Sequence, residues 1–407
     1  MKIGFVAPNI WNSIHLDLAQ AFAALGHDVA IYTEDGRAPS GMRILRFREG
    51  RLDFFVIHHL RRNPWTWLLD RLAKPWLGRR FFTTLAAMAR YFRATRDCDL
   101  YIVESDWIGF FVAIIARFIR FRWMVCIHDS DYLRLPLSFP GRPASRWKEA
   151  VKLWVLESAD IVRANSYVTR DALVAGGCAP ERIRVVPMHI NAWMRVDEIA
   201  DMAAFKAQSR AEVHARWRIP PEARLLITMC RLVPVKGLDL AVRSFATVAR
   251  RNAGLYLMIC GGDRMVPGIG SYGGYLAAIA AGEGVAAQVI FTGNIDSREV
   301  KRYFAAADLQ LAPSVIDTFY YGAIEAAMVQ TYTILSDMVG AGPWVQAVKA
   351  ATVISGRDPA AWGRAIEAFV AGGVPPFAGG AITAQLEPQR IAAMLLELAR
   401  EIVPGKT

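Results

Sequence analysis

The chain has 407 residues, 54% of them hydrophobic, with 48 Lys+Arg against 37 Asp+Glu, a formal charge of +11 and a pI near 9.6. That length exceeds one ordinary core and points to two domains, and so apolar a composition excludes a disordered chain and allows contact with a membrane. The positive balance suits an anionic partner, whether nucleic acid, an acidic membrane surface or a phosphorylated substrate.

Taken from the start, residues 2–7 (KIGFVA) are a near-continuous apolar run, the pattern of a parallel strand covered on both faces. The run is short and lacks a basic segment before it, so no cleavable signal is expected. A polar loop from Pro8 to Ser13 leads to a helical pattern with Leu16, Leu18, Ala19, Phe22 and Leu25 on one face. Gly26 closes it, and Val29 to Thr33 is the next strand, completing one βαβ unit.

Residues 43–122 carry sixteen Lys/Arg and seven Asp/Glu, nearly all of the excess charge. Within them Trp65, Trp67, Trp76, Phe81, Phe82, Tyr91 and Phe92 are interleaved with Arg61, Arg62, Arg71, Lys74, Arg79, Arg80, Arg90 and Arg93. Aromatics beside cations describe an interfacial helix on an anionic leaflet. The alternative is a helix pair packed on the sheet with a solvated basic face. The apolar stretch Trp107 to Ile127 is broken by Arg117, Arg120 and Arg122, too costly within hydrocarbon for a spanning helix.

Alternation continues with strand 100–103, helix 107–120, strand 122–127 ending at His128-Asp129, strands 160–164 and 184–187, and a helix near 168–176. Charged helical sequence from 195 ends at Ile219-Pro220-Pro221, and a second series follows: strands 224–229, 255–260, 288–292, 308–312 and 332–335 with helices between them. The expectation is α/β throughout, as two doubly wound parallel-sheet domains, 1–200 and 201–388, with a last helix 389–402 packing back on the first. Five scattered cysteines (Cys98, Cys126, Cys178, Cys230, Cys260) without a CxxC pair indicate neither a disulfide framework nor a zinc site, and fit a reducing cytosol.

In open α/β sheets ligands bind beyond the carboxyl ends of the strands. After strand 224–229 come Arg231 and Lys236, two cations in a turn before a helix, suited to a diphosphate; the same pair also fits a solvated loop. After strand 308–312 come Asp317 and Glu325, two acids eight positions apart. A carboxylate accepts two sugar hydroxyls at once, and Glu325 lies in an apolar setting where an unpaired acid is expensive.

The combination of R-L-V-P-x-K-G (Arg231 to Gly237), Gly261-Gly262-Asp263, V-I-F-T-G (Val289 to Gly293), Ala305 to Ser314 and acid-x7-E resembles the GT-B glycosyltransferases of family 4, from about 222 to 345. A weaker likeness covers the opening βαβ unit, Cys126-Ile127-His128-Asp129 and Val185-Val186-Pro187. The resemblance implies GT-B architecture, two Rossmann-like domains facing a cleft, and retaining transfer of a sugar from a nucleoside-diphosphate donor without metal or other cofactor. It implies that Arg231 and Lys236 bind the diphosphate, Asp317 the donor sugar and Glu325 the ribose, with His128 by the reacting carbon. Further donor contacts are expected from Gly262, Asn294, Thr318 and Phe319, and acceptor contacts from Trp11, Asn12 and His15.

The pattern departs from the family in five places. Asp317 stands where Glu is usual, Thr318-Phe319-Tyr320 replaces a glycine-flanked phenylalanine, and Gln330 replaces a helix-ending glycine. Asn9 to Ser13 replaces a glycine-rich loop, and His189-Ile190-Asn191 an Asn-Gly. Asp97-Cys98-Asp99 and Asp129-Ser130-Asp131 mimic a metal-binding DxD, but no metal is expected there. The expected partners are a nucleotide sugar, a glycan or lipid-linked acceptor and an anionic membrane, with the protein cytoplasmic and peripheral on the inner face. Nucleic acid is set aside because no nucleic-acid module appears. A sugar-nucleotide epimerase or phosphorylase on the same fold, or a non-catalytic binding protein, are the alternatives.

Overall fold

The computed structural model describes residues 1–7, 10, 14–35, 45–58, 68–72, 81–104, 106–128, 146–191, 194–372, 376–377 and 379–403. It divides into two compact units, Met1–His189 with Glu387–Thr407, and Ile190–Leu386. The division falls earlier than the boundary expected at 200. The backbone explains it: Ile190 N–H donates to Leu386 O at 2.9 Å, and Lys301 reaches Arg195 O at 3.3 Å, tying 190–200 to the second unit.

In unit 1 an eight-stranded sheet is built from β1 (Lys2–Val6), β2 (Asp28–Asp35), β3 (Leu45–Glu49), β4 (Leu52–His58), β5 (Leu100–Val103), β6 (Trp123–Ile127), β7 (Ile161–Ala164) and β8 (Ile183–Val185). The order is β3-β4-β2-β1-β5-β6-β7-β8, parallel except for the β3–β4 hairpin. The central strands are buried along their whole length, which is why they read as apolar runs. The sequence reading passed over the hairpin. Leu45–Glu49 alternates with Arg46, Arg48 and Glu49, and Arg46 spends its charge on Asp53 across the pair at 2.6 Å.

Helices α1 (His15–Ala24), α2 (Phe81–Ala94), α3 (Asp106–Ala116), α4 (Arg146–Ser158) and α5 (Tyr167–Ala175) belong to this unit. The aromatics of α2 turn inward: Phe81, Tyr91 and Phe92 are buried, with Phe92 stacked on Phe121 at 4.6 Å between centroids and Phe81 tilted against Phe111 at 5.2 Å. Arg90 and Arg93 stay exposed. For α2 the core-packing alternative therefore holds, and its rings are not an interfacial stripe; Trp65, Trp67 and Trp76 lie outside the described residues. Helix α3 ends at Ala116, short of the expected 120, and the following turn leaves Phe118 86% exposed.

Unit 2 carries a parallel six-stranded sheet in the order β13-β10-β9-β14-β15-β16. Its strands are β9 (Arg224–Met229), β10 (Leu255–Cys260), β13 (Val289–Gly293), β14 (Leu309–Ala312), β15 (Tyr332–Ser336) and β16 (Ala351–Ile354), with a small hairpin β11 (Met265–Val266) and β12 (Gly270–Ser271) beside it. Helices α6 (Met202–Trp217), α7 (Leu238–Ala249), α8 (Tyr272–Gly282), α9 (Val300–Ala306), α10 (Tyr321–Met328), α11 (Gly342–Ala347), α12 (Pro359–Gly372) and α13 (Gly379–Leu386) cover its faces. Trp362 of α12 is fully buried and packs with Phe245 of α7, both in the cluster that seals one face of the sheet. The last helix, α14 (Pro388–Ile402), falls within unit 1 and packs on α1. Among the described residues no helix is long and apolar enough to cross a membrane.

Candidate functional site

Both sheets reverse direction at one point. In unit 2 the chain starts at β9, moves outward through β10 to β13, then restarts at β14 on the other side of β9. Connections diverge there, so a crevice opens at the carboxyl ends of β9 and β14. Arg231 and Lys236 follow the first of these strands, and Asp317 follows the second. The Lys236 ammonium contacts the Asp317 carboxylate directly across the gap, with the two side chains 15% and 10% exposed.

The loops that bring them together are tightly held. Gly237 has φ +67, and a Cβ there would lie 2.0 Å from Pro313 O, so only glycine lets the β9 loop press against the end of β14. Arg357 braces the same carbonyl at 3.1 Å. Asp317 is fixed by its backbone, N–H to Met338 O at 2.9 Å and its O accepting from Gly340 N at 2.9 Å. Arg231 is exposed and makes no ion pair among the described residues.

Asp317 is not a helix cap. Helix α10 begins after Tyr320, whose φ of +64 is left-handed. Such a conformation costs a non-glycine residue about 1–3 kcal/mol, and here the side chain compensates. Tyr320 Oη donates to Met229 O at 3.2 Å and accepts from Gln310 Nε2 at 2.9 Å, while Thr333 Oγ1 donates to Gln310 Oε1 at 2.9 Å. The ring lies under the Lys236 ammonium, 5.5 Å from Nζ to centroid. It also covers Gly322, where a Cβ would come within 2.8 Å of Tyr320 Cζ; an alanine at 322 therefore requires a smaller residue at 320. Gln330, the other replaced glycine, has φ +58, and Lys206 Nζ caps that helix end on Val329 O at 3.2 Å and Gln330 O at 3.0 Å. Both substitutions keep the backbone shape that glycine would give.

Glu325, on α10, lines a small, solvent-open pocket with Met194, Ser297, Val300, Lys301 and Val329. Burial raises the pKa of its carboxyl to about 7, and that carboxyl has no hydrogen-bond or ion-pair partner among the described residues. Gly262 faces Asn294, whose Oδ1 would be 2.6 Å from a Cβ at 262. Asp263 is consumed locally, accepting from Ser271 Oγ at 2.6 Å and Gly273 N at 2.7 Å to hold the β11–β12 hairpin. The Phe319 ring packs on Trp344 and Tyr321, and its backbone is engaged as well, the O accepting from Ala341 N at 2.7 Å and the N–H donating to Asp317 Oδ1 at 3.4 Å; Thr318 is half-buried beside it.

Unit 1 has its own switch point, between β1 and β5. His15 opens the helix after β1, Glu104 follows β5 and His128 follows β6. The His128 Nε2 contacts Glu104 Oε2 directly, His15 Nδ1 is 3.6 Å from the same oxygen, and Arg163 Nη1 is 3.6 Å from Oε1. Burial opposes the charge on Glu104, but His128 and then Arg163 outweigh it and hold the carboxyl well below the usual range. Burial takes His15 down to about 4 despite Glu104, so it is neutral at pH 7. Sequence reasoning found His15 and His128 and missed Glu104 and Arg163, which carry no motif.

Glu104, Cys126 and His128 are the group among the described residues with metal-ligand spacing. The charges argue for an ion-pair hub instead: Arg163 already faces Glu104, and burial pushes the Cys126 thiol well up, keeping it protonated. Asp97 and Asp99 are likewise spent on Lys2, at its ammonium and its backbone N–H. Trp11, Asn12 and Asp129 to Asp131 lie outside the described residues.

Comparison with known proteins finds matches along most of the chain. Residues 13–189 match the family described as "Glycosyl transferase 4-like domain" and residues 209–374 that described as "Glycosyl transferases group 1". A D-inositol 3-phosphate glycosyltransferase of Catenulispora acidiphila is 25% identical over 87% of this chain and 81% of its own. The chain spans about half the length of the next curated relatives it matches. Among solved structures, a sucrose-phosphate synthase from Thermosynechococcus elongatus superposes with a TM-score of 0.69 at 18% identity, covering 100% of both chains. The Anabaena protein HepE, solved in complex with UDP and glucose, gives 0.69 at 15% identity over 98% of this chain and 100% of its own.

The raised Glu325 carboxyl has a testable consequence. Its folded value, about 7, exceeds the ordinary 4.5, so the native state binds this proton more tightly than the unfolded chain. Stability is unpenalised below about pH 4.5, declines up to about 7, and carries the full cost above that. Glu325→Gln should therefore raise stability at about pH 8 by on the order of 2 kcal/mol and change little near pH 5. Urea unfolding at both values measures it; equal effects at both would contradict the assignment of buried strain to this carboxyl.

Proposed function

Since the chain belongs to the GT-B glycosyltransferases, in the family 4-like group, we propose that it transfers a sugar with retention from a nucleoside-diphosphate sugar to a glycan or lipid-linked acceptor at the cytoplasmic membrane face. The observation that carries the donor half is the Lys236–Asp317 pair spanning the unit 2 switch point, with Arg231 exposed at its rim.

The chemistry follows from those groups. Breaking the anomeric C–O bond moves an electron pair onto the leaving diphosphate. Fixed cations stabilise that charge most when they need no rearrangement as it develops. Lys236 is held in advance by Asp317 and by the Tyr320 ring, and its ammonium keeps further N–H donors for phosphate oxygens. Asp317 holds the sugar, and Glu325 accepts the ribose hydroxyls. The acceptor oxygen then bonds to the anomeric carbon on the face the diphosphate leaves, its proton passing to a phosphate oxygen, which conserves configuration. His128 is the unit 1 residue that the resemblance puts beside the reacting carbon. Arg231 and Lys236 meet the leaving group's charge, so this reading requires no metal.

UDP is the first nucleotide to test, because HepE was solved with it. For the acceptor, the name of the Catenulispora relative supports a second reading, a small phosphorylated polyol. Membrane contact is supported by the exposed turn after α3, where Phe118 is flanked by Arg117 and Arg120, and by exposed Leu68, Leu69 and Leu72.

Two measurements test these readings. Arg231→Ala and Lys236→Ala should each lower kcat/KM for UDP-sugar turnover by about 10- to 150-fold, the loss of one charge-assisted bond of about 1.5–3 kcal/mol; unchanged turnover in both would refute the donor site. The protein should co-sediment with phosphatidylglycerol vesicles at low salt and less so as Phe118→Asp; failure of the wild type to bind would leave the polyol acceptor standing.

A further inference from the structure

Four side chains of unit 1 converge from four neighbouring elements: His15 at the start of α1, Glu104 after β5, His128 after β6 and Arg163 within β7. Glu104 is the hub. It is 4% exposed, and both its oxygens face these groups. We propose that Glu104 is a positioning residue for sugar transfer, acting through His128 by fixing which ring nitrogen carries hydrogen and how the ring is turned. The proposal rests on the reading of His128 as the residue beside the reacting carbon.

A histidine at a strand end is ambiguous, since either nitrogen can hold the proton and the ring can rotate. A buried carboxylate removes that freedom. An ionised carboxylate accepts hydrogen bonds and donates none, so the nitrogen against it, Nε2, must carry hydrogen. Glu104 is kept ionised by its surroundings, chiefly His128 and Arg163, against the pull of burial. Orientation of a working imidazole by a buried carboxylate is what the third member of a hydrolase triad supplies.

The competing account is that Glu104 merely neutralises Arg163. Arg163 is 1% exposed, and its guanidinium also donates to Val186 O at 3.1 Å and Pro187 O at 2.6 Å. It stands 3.6 Å from Glu104, whereas His128 is in direct hydrogen-bond contact. The carboxylate is aimed at the histidine, with the arginine as its counter-ion. Among the described residues, the other titratable groups facing the cluster are His189 and Cys126.

The test is Glu104→Gln, which keeps the shape but can either accept from or donate to Nε2. Ring-nitrogen NMR of His128 should show one Nε2–H form in the wild type and a mixture of Nε2–H and Nδ1–H in the variant. With UDP-glucose, kcat should fall by roughly 10- to 100-fold, the range for loss of an outer-shell orienting group, with KM within about twofold. A lower melting temperature with an unchanged nitrogen pattern would overturn the proposal, as would a changed pattern with full kcat. Should Arg163, left without its counter-ion, prevent Glu104→Gln from folding, Glu104→Asp withdraws the charge by one methylene and is read the same way. If the wild type turns over no UDP-glucose, that donor alone is excluded, while the ring-nitrogen pattern still decides whether Glu104 orders His128.

Discussion

The contact on which the proposed donor site depends is the ion pair between Lys236 and Asp317. It joins the loops after β9 and β14, the two strands from which the rest of the unit 2 sheet diverges. Taking two charges partly out of water is expensive, and the fold spends several close approaches on it. Gly237 lets one loop touch Pro313, Arg357 braces that carbonyl, and Met338 and Gly340 grip Asp317 from the far side. A pair so held stabilises the fold weakly, but it keeps an ammonium in place before an anion arrives. Preorganisation of that kind is what a reaction that builds charge on a leaving diphosphate can use.

The same logic explains why replaced family glycines did not reshape the site. At Tyr320 and Gln330 the backbone remains left-handed although glycine is gone. The surroundings impose the conformation, and local bonds offset its cost: Tyr320 is tied to Met229 and Gln310, and the chain around Gln330 to Lys206. The Tyr320 side chain turns down beneath the loop, against Gly322 and under Lys236.

What could be read from the residues follows from burial. Strands covered on both faces appear as apolar runs, so the central strands and the points where charged residues leave them were legible. The β3–β4 hairpin was not, because an edge alternates with charge. Within the basic aromatic segment α2 shows a related effect: its rings and arginines alternate along the chain but separate onto two faces of the helix, rings inward. Glu104 was invisible because a lone acid after a strand has no signature. Its meaning lies in His128, 24 residues on, and in Arg163 on yet another strand. The Arg231–Lys236 motif was legible in the sequence; the Glu104 cluster emerges only in three dimensions.

The central claim is that a nucleoside diphosphate settles at the β9/β14 switch point. Amide hydrogen exchange with and without UDP tests it most directly. Protection should concentrate in 231–238 and 317–323, the loop after β9 and the start of α10. Unchanged exchange in both segments, with protection appearing elsewhere in unit 2, would contradict the account.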